Sequence, residues 1–255
     1  MKKVFNIFGL ILMLSVSSSA GKGTREKPWL FIGGGGTLGK VRKEFLKMAG
    51  REARLVVFTN DGSAKTREKE QKRWQDRGFT KLIVLHTSDR KEASSDEFVK
   101  PLEFADAVWF SGGVQQNYAR AYAGTRVEKE LIRLQDRGGV IGGSSAGASI
   151  QTRAMICGGQ VNPRVLTGLD LLQGAIIDQH FLKRNRIPRL SMAVRQNPSL
   201  VGYGIDEGTA LVVQDGKMRV VGPSYVLRLK MIEGQLQIEA FKEGDVLPMP
   251  GQEDS

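Results

Sequence analysis

The sequence predicts an α/β fold built on a doubly wound, mostly parallel sheet. Three observations predict it. Short apolar runs recur with charged, helix-like stretches between them. The runs do not alternate apolar with polar residues, so both strand faces are covered, as in parallel sheets. The 31 glycines among 255 residues cluster just after those runs, where strand-to-helix turns belong.

The elements follow in order. Trp29 to Gly33 is a buried strand, followed by glycines and a helix from Lys40 to Ala49. Arg54 to Thr59 is a second strand, leading into a charged helix from Ala64 to Arg77. Lys81 to His86 is a third, with a helix around Ser95 to Leu102. Ala107 to Phe110 is a fourth, ending in Ser111-Gly112-Gly113 before a helix from about Gln116. Gly139 to Gly142 is a fifth, running into a tight turn at Ser145 and a short helix. The C-terminal part is richer in strand: Ala210–Gln214, Met218–Val221, Tyr225–Lys230 and Gln235–Lys242. Asp215-Gly216 and Glu233-Gly234 are the hairpin turns between them. With no linker and no repeat, residues 29–245 are expected to form a single catalytic domain and 246–255 a C-terminal tail.

The first twenty residues differ from the rest. Lys2 and Lys3 precede the apolar run Val4 to Val16, and Ser18-Ser19-Ala20 supplies small residues. This is the pattern of a secretory signal with cleavage after Ala20, followed by a flexible leader at 21–28. The run is short for a membrane span, so no stable membrane insertion is expected after cleavage. The expected location is secreted or periplasmic. Cys157, the single cysteine, allows no intrachain disulfide and reads as a small hydrophobe. The 38 basic residues against 27 acidic ones give +11, or +9 without Lys2 and Lys3. The basic residues are scattered among acids, as in Arg67-Glu68-Lys69-Glu70, so no nucleic acid is expected as a partner.

Gly143-Ser144-Ser145-Ala146-Gly147 fits G-x-S-x-G where a strand gives way to a helix. A nucleophile elbow holds its serine in strained backbone geometry, and small neighbours avoid clashes there. Ser144 occupies the x position and points away from the reacting centre. Serine needs a base, and the chain has two histidines. His86 ends a strand; His180 lies in Asp178-Gln179-His180, where polar residues interrupt an apolar run. Buried polar groups in such a run need partners or a task, which favours His180. A carboxylate must then orient the imidazole. Asp206 and Glu207 both precede a strand and face opposite ways on an extended chain, and spacing does not choose between them. Arg184, Arg186 and Arg189 follow the base and suit an acidic substrate group. A competing reading is dinucleotide binding, because Gly34-Gly35-Gly36-Thr37-Leu38-Gly39 matches G-x-G-x-x-G with Asp61 after the next strand. Export argues against that cofactor.

In combination these pieces resemble a cyanophycinase, in the serine peptidase family that also holds aspartyl dipeptidase (peptidase E). The resemblance spans roughly residues 29 to 230. It rests on Gly33-Gly-Gly-Gly36, Gly112-Gly113-Val114-Gln115, Gly142 to Ala148, Asp178 to Phe181 with the following arginines, and Gly204 to Glu207. It implies a class I glutamine amidotransferase-like fold and a triad of Ser145, His180 and Glu207. It places Gln115, Ser144, Asp178, Gln179, Arg184, Arg186 and Arg189 around the substrate. Backbone amides of Gly113 and Ala146 are the expected oxyanion hole. The implied substrate is cyanophycin, a polyaspartate backbone carrying arginine on each side chain, released as β-Asp-Arg dipeptides. No metal or cofactor is implied, and a homodimer is the expected assembly. Two departures stand out: Val114 replaces an acid in the family's Gly-Gly-Asp-Gln pattern, and Ser144 replaces a threonine. An aspartyl or isoaspartyl dipeptidase, or a binding protein that lost catalysis, would keep the same fold.

Overall fold

The computed structural model describes residues 29–39 and 41–252. The expected signal at 1–20, its cleavage point after Ala20 and the leader at 21–28 lie outside the described residues. The N-terminal half alternates as expected: β1 (Trp29–Gly33), α1 (Arg42–Ala49), β2 (Leu55–Phe58), α2 (Ala64–Gln75), β3 (Leu82–Leu85) and α3 (Asp96–Glu103). It continues through β4 (Ala107–Phe110), α4 (Gln115–Tyr122), α5 (Arg126–Asp136), β5 (Val140–Ser144) and α6 (Ala146–Ser149). The C-terminal half holds β6 (Ala154–Gly158), β7 (Arg164–Thr167), β8 (Ala175–Gln179), α7 (Ile187–Gln196) and β9 (Val201–Ile205). It ends with β10 (Ala210–Gln214), β11 (Lys217–Val221), β12 (Val226–Ile232), β13 (Gln235–Phe241) and β14 (Val246–Leu247).

Strands β1, β5, β4, β2 and β3 pair in that order, all parallel. Helices cover both faces, which is the doubly wound arrangement. Side chains alternate across the sheet, and the burial follows: Leu30, Ile32, Val56, Phe58, Val108 and Phe110 pack under α3, α4 and α5. Phe31, Leu55, Val57 and Trp109 face the other way, onto α1 and α2. There Trp109 sits 4.9 Å from Phe45, 5.1 Å from Trp74 and 5.6 Å from Phe31, ring centre to ring centre.

Three things differ from the sequence expectation. The helix begun near Gln116 is broken at Gly124, whose φ of 74° no helix accepts, and α5 restarts beyond it. Both hairpin turns form, with Asp215 and Glu233 at positive φ beside their glycines, but the hairpins go to different sheets. β10 extends the first sheet antiparallel to β1 and β11 pairs antiparallel to β10, whereas β12 and β13 join β9, β8, β6 and β7 in a second sheet. The segment expected as a tail from 246 opens with β14 against β11, because Leu247 is buried in the core.

Replacing Trp109 by alanine removes a nearly fully buried ring from the aromatic cluster. The expected cost is about 3–5 kcal/mol, read as a lower midpoint in urea unfolding.

Candidate active site

β5 ends at Ser144 and α6 begins at Ala146, so Ser145 occupies the turn itself with φ 56° and ψ −114°. Positive φ in a non-glycine residue is strained and persists only where packing enforces it. Here the packing is glycine-specific. A Cβ on Gly143 would lie 2.1 Å from the Gly147 carbonyl oxygen, and one on Gly147 would lie 2.1 Å from that of Phe110. The Ser145 N–H donates to the Gly33 carbonyl at 3.0 Å, tying the turn to β1.

His180 follows β8 directly and also has positive φ, 51°. Its Nδ1 lies 2.6 Å from Glu207 Oε1, and its Nε2 lies 2.8 Å from Ser145 Oγ. An ionised carboxylate can only accept, so Nδ1 carries the proton and Nε2 accepts from the Ser145 hydroxyl. Burial pushes the His180 pKa down. The Glu207 hydrogen bond pushes it back up, nearby Arg184 lowers it again, and the net effect is below the ordinary imidazole value. The ring is therefore neutral, and able to accept a proton, at neutral pH.

The chain crosses from the second sheet to the first between β9 and β10, and Asp206 and Glu207 lie in that crossing. They do face opposite ways. Asp206 accepts from Lys183 N–H at 2.9 Å and from the Ser224 hydroxyl at 2.7 Å. Burial works against its ionisation, but these bonds and further backbone donors hold its carboxyl below the usual range. Asp206 therefore anchors the turn, and Glu207 is the acid on the imidazole. His86 follows β3 directly and bonds through Nδ1 to the carbonyl of Thr59, just after β2, at 3.0 Å. Two strands separate β3 from β5, which puts the strands roughly 14 Å apart.

The glycines at 33–36 abut this constellation. His180 N–H donates to the Gly34 carbonyl at 2.6 Å, and Gly208 N–H donates to that of Gly35 at 3.0 Å. A Cβ on Gly35 would lie 2.3 Å from His180 Cε1, and one on Gly36 would lie 3.0 Å from Glu207. The space beside these glycines is filled by the imidazole and the carboxylate.

The other expected site residues divide into two groups. Ala146 follows Ser145, and Gly113 stands next to Gly112, on which a Cβ would lie 3.7 Å from Ser145 Cβ; neither the Gly113 nor the Ala146 N–H has a protein acceptor among the described residues. Ser144 sits beside Gly33 on neighbouring parallel strands. Arg184 pairs with no acid among the described residues and lines a cavity of about 440 Å³ with Gly159, Gln160, Val161, Arg186 and Arg189. The second group is engaged with protein. Asp178 is buried and takes a two-pronged bond from Arg189, at 2.6 Å through Nε, and another from Arg186 at 3.3 Å. Arg186 also bonds Gln179 Oε1 at 3.0 Å. Gln115 reaches across to the Ile156 carbonyl of β6 at 3.0 Å. Half-buried Cys157 packs against the core. Asn60, which follows β2, is absent from the sequence reading, yet its side chain contacts the Gly113-Val114 turn. Its position at the carboxyl end of a parallel strand, where such sheets place their sites, is the signal that marks it.

Residues 30–221 match the model of peptidase family S51. The chain belongs to that family. It is 36% identical to a cyanophycinase from Nostoc sp. over 163 residues, covering 60% of this chain and 54% of that protein. It is 33% identical to a cyanophycinase from Synechococcus elongatus over 158 residues, covering 58% and 49%. The chain thus matches about half the length of these curated relatives. Among solved structures, a peptidase from an acI-B1 Actinobacterium superposes with a TM-score of 0.69 at 22% identity, covering 88% of this chain and 97% of that one. A putative peptidase E protein from Listeria monocytogenes gives 0.51 at 17%, covering 77% and 99%. Both likenesses establish the peptidase E-type fold alone.

Gly35→Ala tests the close approach of the glycines. Its Cβ overlaps the imidazole, and its φ of 104° is strained for any side chain. The variant is expected to lose about 1–3 kcal/mol of stability in urea unfolding. Reaction of Ser145 with a fluorophosphonate should slow at least tenfold as His180 is displaced.

Proposed function

We propose that the chain is an exported, cyanophycinase-like serine peptidase that hydrolyses cyanophycin or related β-aspartyl peptides. The observation that carries this reading is the unbroken hydrogen-bond chain from Ser145 Oγ through His180 to Glu207. Ser145 Oγ attacks the scissile carbonyl while Nε2 takes its proton, and Glu207 stabilises the imidazolium. The oxyanion forms beside the Gly113 and Ala146 amides, the first of them on a glycine and the second at the start of α6. Collapse breaks the C–N bond, and the imidazolium protonates the leaving amine. Water, activated by the neutral imidazole, then releases the acyl group. No step requires a metal or cofactor.

The Arg184 cavity supports an acidic product end. A guanidinium beside the base that pairs with no acid among the described residues attracts a carboxylate, such as that of an arginine linked to aspartate. Val114 favours a second reading. It is about half exposed at the family's acidic position, and it offers a cationic side chain no counter-charge. A short aspartyl or isoaspartyl peptide needs none.

Ser145→Ala should reduce turnover on the order of a millionfold with the unfolding midpoint unchanged. Near-normal activity in that variant would remove the mechanism, and failure of a fluorophosphonate to label wild-type Ser145 would favour a binding protein. Release of β-Asp-Arg from insoluble cyanophycin, set against hydrolysis of Asp-X dipeptides, decides between the substrates. In the cyanophycin case Val114→Asp should raise kcat/KM for β-Asp-Arg substrates several-fold over uncharged analogues.

The pH profile supplies a further check. The base must be neutral, so activity falls as pH drops through its pKa. Because that pKa is lowered, the acidic limb of kcat/KM should lie below about 6.5. Arg184→Gln removes a cation that favours the neutral ring, so the limb should move upward.

A further inference from the structure

Gly112 and Gly113 form a two-glycine turn between β4 and α4. On one side the turn faces the elbow: a Cβ on Gly112 would lie 3.6 Å from the Ser144 carbonyl oxygen and 3.7 Å from Ser145 Cβ. On the other side stands the Asn60 side chain. A Cβ on Gly113 would lie 2.4 Å from Asn60 Cγ, and Gly113 itself has φ of 146°. Two consecutive glycines have wide conformational freedom, and the Gly113 N–H has no protein acceptor among the described residues to hold it. Something else must set the direction of that amide.

We infer that Asn60 is the positioning residue of the oxyanion-binding turn, fixing the Gly113 amide by clamping Val114 through both of its backbone groups. Asn60 Oδ1 accepts from Val114 N–H at 2.9 Å, and Asn60 Nδ2 donates to the Val114 carbonyl at 2.9 Å. The side-chain amide thereby behaves like one rung of a β-ladder. A one-residue clamp of this kind restrains the peptide planes on either side of Val114, and the Asn60 side chain fills the space that a side chain on Gly113 would need. Asn117 Nδ2 donates to the same Oδ1 at 3.2 Å and orients the amide, so that its nitrogen faces the Val114 carbonyl. Val114 begins α4 without a capping side chain of its own, and the clamp also supplies that N-terminus with its attachment.

The inference rests on the hydrolase reading, and its test separates the two. The probe is a fluorophosphonate, whose phosphonyl oxygen enters the oxyanion site without any assumption about the natural substrate. Asn60→Ala should slow labelling of Ser145 by about 10- to 100-fold, short of the full loss of an oxyanion donor. On a hydrolysed peptide kcat should fall by the same factor, with KM and product affinity changed less than about twofold. Asn60→Asp, which keeps shape and the acceptor oxygen but loses the donor, should fall between wild type and Asn60→Ala, and it serves if the alanine variant does not fold. Asn117→Ala should slow labelling by less than about threefold, because Val114 keeps both bonds.

If wild-type protein is neither labelled nor active, the hydrolase reading fails and takes the clamp with it. If wild type is labelled and both Asn60 variants react within twofold of it, the clamp alone is overturned. Loss of product binding in parallel with kcat, or an equal effect of Asn117→Ala, likewise overturns it in favour of a general structural role.

Discussion

The close approach of the glycine segment 33–36 to the reacting residues is the constraint on which the rest of the site depends. Consecutive carbonyls of this segment accept from Ser145, His180 and Gly208, and the Gly34 N–H donates to the Thr209 carbonyl at 2.8 Å. Each partner comes from a different part of the chain: the elbow after β5, the end of β8 and the crossing from β9 to β10. A side chain at Gly34 would sit 2.0 Å from the Asp206 carbonyl oxygen. The three groups therefore meet only because this stretch of backbone has no side chains. The same composition that resembles a phosphate-binding loop here lets protein backbone pack against an imidazole.

Such a junction matters because Ser145 and His180, the proposed nucleophile and base, stand on different sheets. Ser145 belongs to the parallel sheet, whereas His180 ends a strand of the second sheet, and Glu207 lies on the segment linking the two. A small shift between sheets would break a 2.8 Å hydrogen bond. Beneath His180, the buried Asp178 is held by Arg189 of α7 and by Arg186. A buried ion pair is weak evidence for stability, but removal of one partner strands a charge. Its consequence here is geometric, since it fixes the residue two before the base to the helix packed behind it. Asp206 does the same for the acid, locking the turn that presents Glu207.

The sequence made some of this legible and not the rest, for physical reasons. Uninterrupted apolar strands and helix-spaced apolar residues are local signals, so β1 to β5 and the helices α1 to α3 stand close to where the pattern put them, while the helix from Gln116 is broken at Gly124. The Ser145 turn and both hairpins are legible too, because positive φ demands recognisable residues. The assignment of β10–β11 and β12–β13 to separate sheets is not, since pairing partners are set by long-range packing rather than by the hairpins themselves. Alternation showed that one of Asp206 and Glu207 faces the base, and the family resemblance chose which. The arginines show the limit of composition: Arg184 pairs with no acid among the described residues while Arg189 is buried against Asp178, yet all three read alike as a basic cluster. The role of Asn60 is not legible in its own neighbourhood, because its partner is a backbone segment 54 residues away.

The arrangement separates two requirements that a hydrolase places on one serine. Proton transfer needs the imidazole held firmly, and buried contacts on several sides do this: glycine backbone, Glu207 and the crossing turn. Stabilising an oxyanion needs exposed amides with no competing acceptor, so in the proposed mechanism the Gly112-Gly113 turn stays open to substrate. An open glycine turn would wander. Its rigidity has to come from behind, from a neighbouring strand end, and the parallel order β5-β4-β2 brings the loop after β2 to that place. Strand order thus decides which loop supports the turn, just as the second sheet decides where the base stands. The nucleophile elbow lies between them, held by the Gly33 carbonyl on one side and the small residues of α6 on the other.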